Sequence, residues 1–413
     1  MGSETAPENI RNKIRDNYLP DENQVVHELI SSLQMDAEAR SRASDKAAEL
    51  ISDLRANTSP TIMESFLGEY GLSTQEGIAL MCLAEALLRV PDAQTIDALI
   101  ADKITPSAWG EHLGQSASTL INASTWALLL TGKVLAPDDQ GLVGTIRGVV
   151  KRLGEPVVRT AVAQAMKELG RQFVLGRTIR EAMRNARAEE GQGFTYSYDM
   201  LGEAARTDAD AKRYHLSYSK AISALASNCV HSSIRDNPGI SVKLSALHPR
   251  YEFAKRERVM KELVPRTLSL IMLAKSSNMG FNIDAEEADR LDISLDVIEA
   301  LLADPATEGW DGFGVVVQAF GPRAIHVIEW LYAVAEKYDR KIMVRLVKGA
   351  YWDSEIKRAQ TLGIDGYPVF TRKVSTDISY TACAEKLLGM TDRIYPQFAT
   401  HNAHSALWVA NCG

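Results

Sequence analysis

The chain has 413 residues, 46 % of them hydrophobic and 24 % charged, and a net charge of −7. That length asks for roughly two or three folded units instead of one core, and the acidic balance without any basic tract argues against a nucleic-acid partner. Cys82, Cys229, Cys383 and Cys412 show neither C-x-x-C nor metal-ligand spacing, so free thiols in a reducing cytoplasm and no metal site are expected.

The N-terminal stretch MGSETAPENIRNKIRDNY has no apolar core and is not a signal peptide. Ala6 also breaks the myristoylation pattern. No uninterrupted apolar run approaches the roughly 18 residues of a membrane span. A soluble cytoplasmic protein is expected, one that can still dock on the inner face of a membrane.

Residues 1–55 are charged and helix-prone, with a break at Pro20 and apolar spacing at Val26, Leu29, Ile30 and Leu33. One modest apolar face cannot fold alone, so this segment reads as an arm lying over another domain or a second subunit. Residues 56–135 read as a helical bundle. Ser73 to Glu76 has capping-box spacing, and the helix GIALMCLAEALLRV that follows is apolar on most sides, with Met81 and Cys82 as core filling. Residues 136–189 read as a more charged helical connector, where Arg177, Arg180, Arg184 and Arg187 form a stripe suited to a solvated face paired with neighbouring acids.

From residue 190 to 413 the pattern alternates. Runs suited to strands occur at 196–201, 240–246, 281–286, 314–320, 342–349 and 395–401, each separated from the next by a helical pattern. Such alternation predicts βαβ units and a parallel sheet. No G-x-G-x-x-G follows the first run, which argues against a dinucleotide-binding Rossmann fold. Each run instead carries a polar residue near its C-terminal end: Asp199, Lys243, Asp284, Gln318, Arg345 and His401. In a (β/α)8 barrel those ends share one mouth, where active sites lie, so a TIM-type barrel is the expected α/β fold. Eight strands close such a barrel. With six here, the barrel is expected to be truncated at the C-terminus.

Arg345 and Lys243 are charged residues inside apolar runs, positions where a cation is costly unless something anionic meets it. Asp284 is either a ligand for an amine or a helix cap. Gln318 suits the polar edge of a ring or a satisfied core amide, and His401, beside Thr400 and Asn402, suits a phosphate or a loop. Thr371, Arg372 and Lys373 suit a diphosphate or a solvated turn. Asp353 is expected to cap the helix after Trp352, and His248 and His404 to be structural.

The motifs SYDMLGEAART (197–207), SVKLSALHPRYE (241–252), FNIDAEEADRLD (281–292), VVVQAF (315–320), MVRLVKGAYWDSEIKRAQ (343–360), GYPVFTRK (366–373) and FATHNAH (398–404) resemble the proline dehydrogenase domain of the bacterial proline-utilisation flavoenzymes, the PutA family. GLSTQEGIALMCLAEALLRVPD (71–92) resembles the helical part of the same family. The resemblance implies an FAD enzyme that oxidises L-proline to Δ1-pyrroline-5-carboxylate and passes electrons to a membrane quinone. It implies Arg345 beside the flavin N5 region, Lys243 at the substrate carboxylate, and Asp284, Leu346 and Tyr351 around the proline ring, with Asp199 nearby. Asp284, Ala285, Gln318, Val347, Lys348, Gly349, Ala350, Trp352, Thr371, Arg372, Lys373, Thr400 and His401 would line FAD.

The family's bifunctional forms add an NAD-dependent aldehyde dehydrogenase and its trifunctional forms a ribbon-helix-helix module. Neither is expected in this chain, so NAD would serve only a downstream domain and no DNA-binding module or transcriptional repression is expected. The family's substrate tyrosine and paired-arginine clamp lie in the strands and helix missing here, and Phe320 stands where a tyrosine is expected. The full-length protein is expected to be a homo-oligomer. Two other readings compete: an incomplete fragment or scaffold, and a Schiff-base aldolase with Lys243 or Lys348 as nucleophile.

Overall fold

The computed structural model describes residues 6–56 and 174–411. The capping box at 73–76, the central apolar helix with Met81 and Cys82, and Cys412 lie outside the described residues. The chain divides into two compact units, Met1–Arg55 with Ala186–Gly413, and Ala56–Asn185.

Six strands form one parallel sheet: β1 Ser197–Asp199, β2 Gly239–Val242, β3 Gly280–Ile283, β4 Phe313–Gln318, β5 Ile342–Val347 and β6 Ile394–Phe398. They lie in sheet order β1 to β6, each beside its sequence neighbour. A doubly wound sheet reverses order at its switch point, whereas an unbroken sequential order is the winding of a TIM barrel.

Side chains crossing the interior show that the sheet curls. In a flat sheet β2 and β5 would be about 14 Å apart, three strand spacings. Yet Arg345 on β5 donates to Ser241 on β2 at 3.0 Å, and the Arg235 guanidinium, just before β2, lies 3.9 Å from the ring centre of Tyr395 on β6.

The crossover helices are α5 Asp208–Leu225, α6 Arg256–Ser276, α7 Leu291–Ala303, α8 Ala324–Lys337, and the pair α9 Trp352–Leu362 and α10 Lys373–Leu388; α11 Ala403–Asn411 follows β6. Period-2 alternation sends Ile240, Val242, Phe281, Ile283, Phe313, Val315, Ile342, Val344 and Leu346 outward. There they are buried beneath Leu263, Ile271, Leu295, Ile298, Leu331, Val334 and Leu387 of the helices. Helix α5 starts at a capping box, with Thr207 and Asp210 exchanging hydrogen bonds. Helix α9 begins two residues earlier than a cap at Asp353 would place it. Tyr351 occupies its N-cap position without a side-chain cap, and Asp353 sits in the first turn, where its charge still favours the helix dipole.

Ahead of the barrel, α1 Pro7–Asp16, α2 Glu22–Ser32 and α3 Ala37–Ala56 form the arm, and α4 Ile179–Glu190 leads toward β1. The arm packs on the outer helices. Arg11 reaches Asp292 at 3.0 Å and Asp296 at 2.8 Å, with its guanidinium 5.4 Å from the Trp330 ring centre. Val25 and Leu29 bury against Phe370 and Ala382. Of the arginine stripe, Arg177 pairs with Glu181 at 3.5 Å.

Candidate functional site

Because successive side chains on a strand alternate faces, the residues turned into the lumen follow from the register. Ser197 and Asp199 on β1, Ser241 on β2, Asn282 on β3, Gly314, Val316 and Gln318 on β4, Arg345 and Val347 on β5, and Gln397 on β6 share that face. Lys243 and Asp284 extend it one step beyond the ends of β2 and β3. Gly314 is the small member of its layer. A Cβ there would meet the Asn282 side-chain oxygen at 2.0 Å.

At the mouth, Lys243 Nζ donates to Asp199 Oδ2 at 3.0 Å and to Asp284 Oδ2 at 3.1 Å. Burial works against the Lys243 ammonium, but the two carboxylates outweigh it and hold its pKa above the ordinary lysine value. Burial also pushes Asp284 above the usual carboxylate range, opposed by Lys243 and reinforced by Asp199. Asp284 is therefore a member of a charged triad and not a helix cap; the Glu287 position starts the next helical turn.

Arg345, opposite Val316 on β4 and Gln397 on β6, donates from Nη1 to Ser241 Oγ at 3.0 Å and from Nε to Gln397 Oε1 at 3.3 Å. Burial lowers its pKa while Asp284 and Asp199 oppose the shift, and a guanidinium stays charged in any case.

The exit of β5 is a tight bend. Gly349 has φ +143°, and a Cβ there would lie 2.4 Å from the Phe320 ring, so the backbone can pass only with glycine. Gln318 fixes this bend, accepting from the Ala350 amide at 3.0 Å and donating to the Glu286 carbonyl at 2.9 Å. Lys348 pairs with Asp377 of α10, which also holds Lys373 at 2.9 Å. Tyr351 donates to Glu203 at 3.3 Å.

These groups surround a cavity of about 640 Å³. Of the residues expected at the site, Asp199, Lys243, Asp284, Ala285, Gln318, Val347, Lys348, Gly349, Ala350, Tyr351, Lys373, Thr400 and His401 line it, joined by Val316, Ala399 and Asn402. Five do not. Arg345 is not among the lining residues, although Val316, opposite it on β4, and Val347, two residues on along β5, are. Leu346 is fully buried on the opposite face of β5, against the helices. Trp352 donates its indole N–H to the Phe370 carbonyl at 2.8 Å. Thr371 gives both its amide, at 2.9 Å, and its hydroxyl, at 2.7 Å, to Glu22 of the arm. Arg372 occupies the N-cap position of α10.

Four contributors were not singled out from the sequence. Ser241 and Gln397 share strand parity with Lys243 and Arg345, a signal within reach. Asp377 and Glu22 lay hidden, since nothing local ties them to the mouth. His248 is buried and contacts Glu262 at 3.2 Å, and His404 stacks toward Trp408 at 6.1 Å between ring centres, both away from the cavity.

A singly wound parallel α/β sheet with charged and amide side chains gathered at the C-terminal strand ends is the layout of a TIM-barrel enzyme. Residues 182–413 match the family model described as Proline dehydrogenase, and residues 8–55 match the Proline utilization A proline dehydrogenase N-terminal domain. The chain belongs to the proline dehydrogenase family.

It is 53 % identical over 369 residues to Bifunctional protein PutA of Klebsiella aerogenes, covering 89 % of this chain and 28 % of that protein. With Bifunctional protein PutA of Escherichia coli (strain K12) it shares 50 % identity over 393 residues, 94 % of this chain and 30 % of that protein. The chain thus spans under a third of these relatives. A crystal structure of Bradyrhizobium japonicum Proline Utilization A carrying a point substitution superimposes with a TM-score of 0.70 at 48 % identity, covering 96 % of this chain and 39 % of that one.

Residues 62–173 match a model described as the DNA-binding domain of Proline dehydrogenase. This overturns the expectation that no DNA-binding module is present. The net charge of −7 averages over the whole chain and says nothing of one segment. Apolar helix periodicity reports a packed interior and not what the outer surface touches.

Among the described residues, no cluster of histidine, cysteine or carboxylate side chains has metal-binding geometry, and no helix is long and apolar enough to cross a membrane.

Proposed function

We propose that this chain carries the FAD-dependent oxidation of L-proline to Δ1-pyrroline-5-carboxylate, with the electrons leaving to a membrane quinone. The observation that carries the reading is the Lys243–Asp199–Asp284 triad at the mouth of a 640 Å³ cavity in a chain of this family. An ammonium has three donors, and two of those on Lys243 are engaged by carboxylates. The third is available to a substrate carboxylate, and Asp199 and Asp284 offer negative charge to its nitrogen.

The lining fits a flavin nucleotide. Lys348 and Lys373 supply cations for a diphosphate, and Gln318, with one amide hydrogen beyond its bond to the Glu286 carbonyl, supplies a polar edge. Thr400 and His401 add polar groups on the β6 side. Trp352, Thr371 and Arg372 would act by shaping the loop that presents Lys373. The bound flavin supplies the two-electron acceptor for the hydride leaving proline C5. The chain's own residues orient the ring. Asp284, its pKa raised by burial, is placed to take the proton leaving the substrate nitrogen, and Tyr351 with Glu203 closes the side of the pocket.

The aldolase reading loses support on the same geometry. A Schiff-base lysine must shed its proton, and the two carboxylates hold Lys243 protonated, while Lys348 is paired with Asp377. The test is dye reduction by the FAD-loaded chain. Reduction dependent on L-proline and absent with D-proline is expected. A flavin-loaded chain that reduces no dye with L-proline contradicts the reading.

A further inference from the structure

Lys243 and Arg345 are both lumen cations, but they are held in opposite ways. The Lys243 charge is met by Asp199 and Asp284 at 3.0 and 3.1 Å. Arg345 has no ion-pair partner among the described residues. It is held by Ser241 Oγ at 3.0 Å and Gln397 Oε1 at 3.3 Å, both neutral.

The two acceptors fix the guanidinium from two directions, one across the lumen on β2 and one on the adjoining β6. Ser241 is 2 % exposed, so bulk water cannot take its place. A guanidinium has no acceptor, so the Ser241 hydroxyl hydrogen is free for Ser197 Oγ, 3.2 Å away. The Gln397 amide nitrogen faces only the Met343 sulfur at 3.7 Å, a weak acceptor. Its oxygen is therefore turned to Arg345 by the cation itself.

We propose that Ser241 and Gln397 are positioning residues that hold Arg345 as a charge without a contacting carboxylate beside the cavity-lining Val316, where it stabilises negative charge on a redox ring bound in the cavity. A carboxylate in either place would cancel the field, whereas neutral acceptors orient the cation and leave its charge intact. The inference rests on the flavin reading of the cavity.

The experiment measures the midpoint potential of the FAD-loaded chain and of Ser241→Ala and Gln397→Leu. Each variant should lower the potential, by about 30 mV for a tenfold loss in preference for the reduced cofactor. Ser241→Thr should restore it, and neither change should matter in an Arg345→Met background. A purely structural role would lower thermal stability and leave the potential unmoved, which overturns the proposal, as does an equal shift without Arg345. A second readout needs no flavin. The Arg345 Nε–H donates to Gln397, so its resonance in arginine-labelled apo chain should exchange slowly in the parent and quickly in Gln397→Leu; an unchanged signal overturns the positioning role even if FAD uptake fails. Failed uptake alone counts against the flavin reading.

Discussion

An ammonium with two of its three hydrogens committed to carboxylates is a preset socket for one more anion, and Lys243 is that group. Lys243→Met leaves Asp199 and Asp284 facing each other unpaired, a loss of about 3 kcal/mol. The variant should raise the KM for L-proline about a hundredfold while FAD affinity changes little, a split read by steady-state kinetics beside flavin titration. Gly349 makes the complementary prediction. Its φ of +143° and the 2.4 Å approach to Phe320 mean that Gly349→Val should weaken FAD binding more than tenfold, at about 2 kcal/mol of backbone strain. Fluorescence quenching of FAD, with circular dichroism to verify folding, measures it. Much of this was legible from single residues, because a charge inside an apolar run must find a partner. Leu346 shows the limit of motif reading. Once Arg345 faces the lumen, period-2 geometry sends Leu346 to the helices, where it is fully buried.

Strand positions were legible for a simple reason: a β-branched apolar run that ends in one polar residue suits a buried parallel strand and little else. The arm's seat was not. Arg11 finds Asp292 and Asp296 some 280 residues away, and nothing in either local sequence announces the pairing. Arg11→Ala should cost about 3 kcal/mol, since it removes a buried cation shared by two carboxylates, and should release α1 before the barrel melts; limited proteolysis reads this directly. Helices α8 and α10 are joined by Glu329, which accepts from Lys386 and contacts His326 at 3.1 Å. Burial works against the Glu329 carboxylate, but these partners outweigh it and hold its pKa at about 2, against an ordinary 4.5. A depressed folded-state pKa stabilises above the unfolded value and loses that effect as pH falls from about 4.5 to about 2. Urea midpoints at pH 5 and pH 3 should therefore differ less in Glu329→Gln than in the parent. An equal drop in both contradicts the assignment.

At the scale of the molecule, sequential strand order and a curled parallel sheet bring residues from β1 to β6 to one mouth. No two of these strands hold the site alone. Asp199, Lys243, Asp284, Gln318 and Thr400 come from five different strand ends, and each is useful only because the winding closes them on one cavity. Fold class and mouth were legible together, since the alternating pattern and the polar strand ends are two signs of one architecture. The match of residues 62–173 to a DNA-binding domain model was not, because apolar periodicity in a sequence reports what packs inside and not what an outer surface touches. The most direct test of the whole account is an absorbance spectrum of the FAD-loaded chain during anaerobic addition of L-proline. Bleaching of the flavin bands by L-proline, and not by D-proline, is the predicted result. A bound flavin that stays oxidised at saturating L-proline would contradict the account.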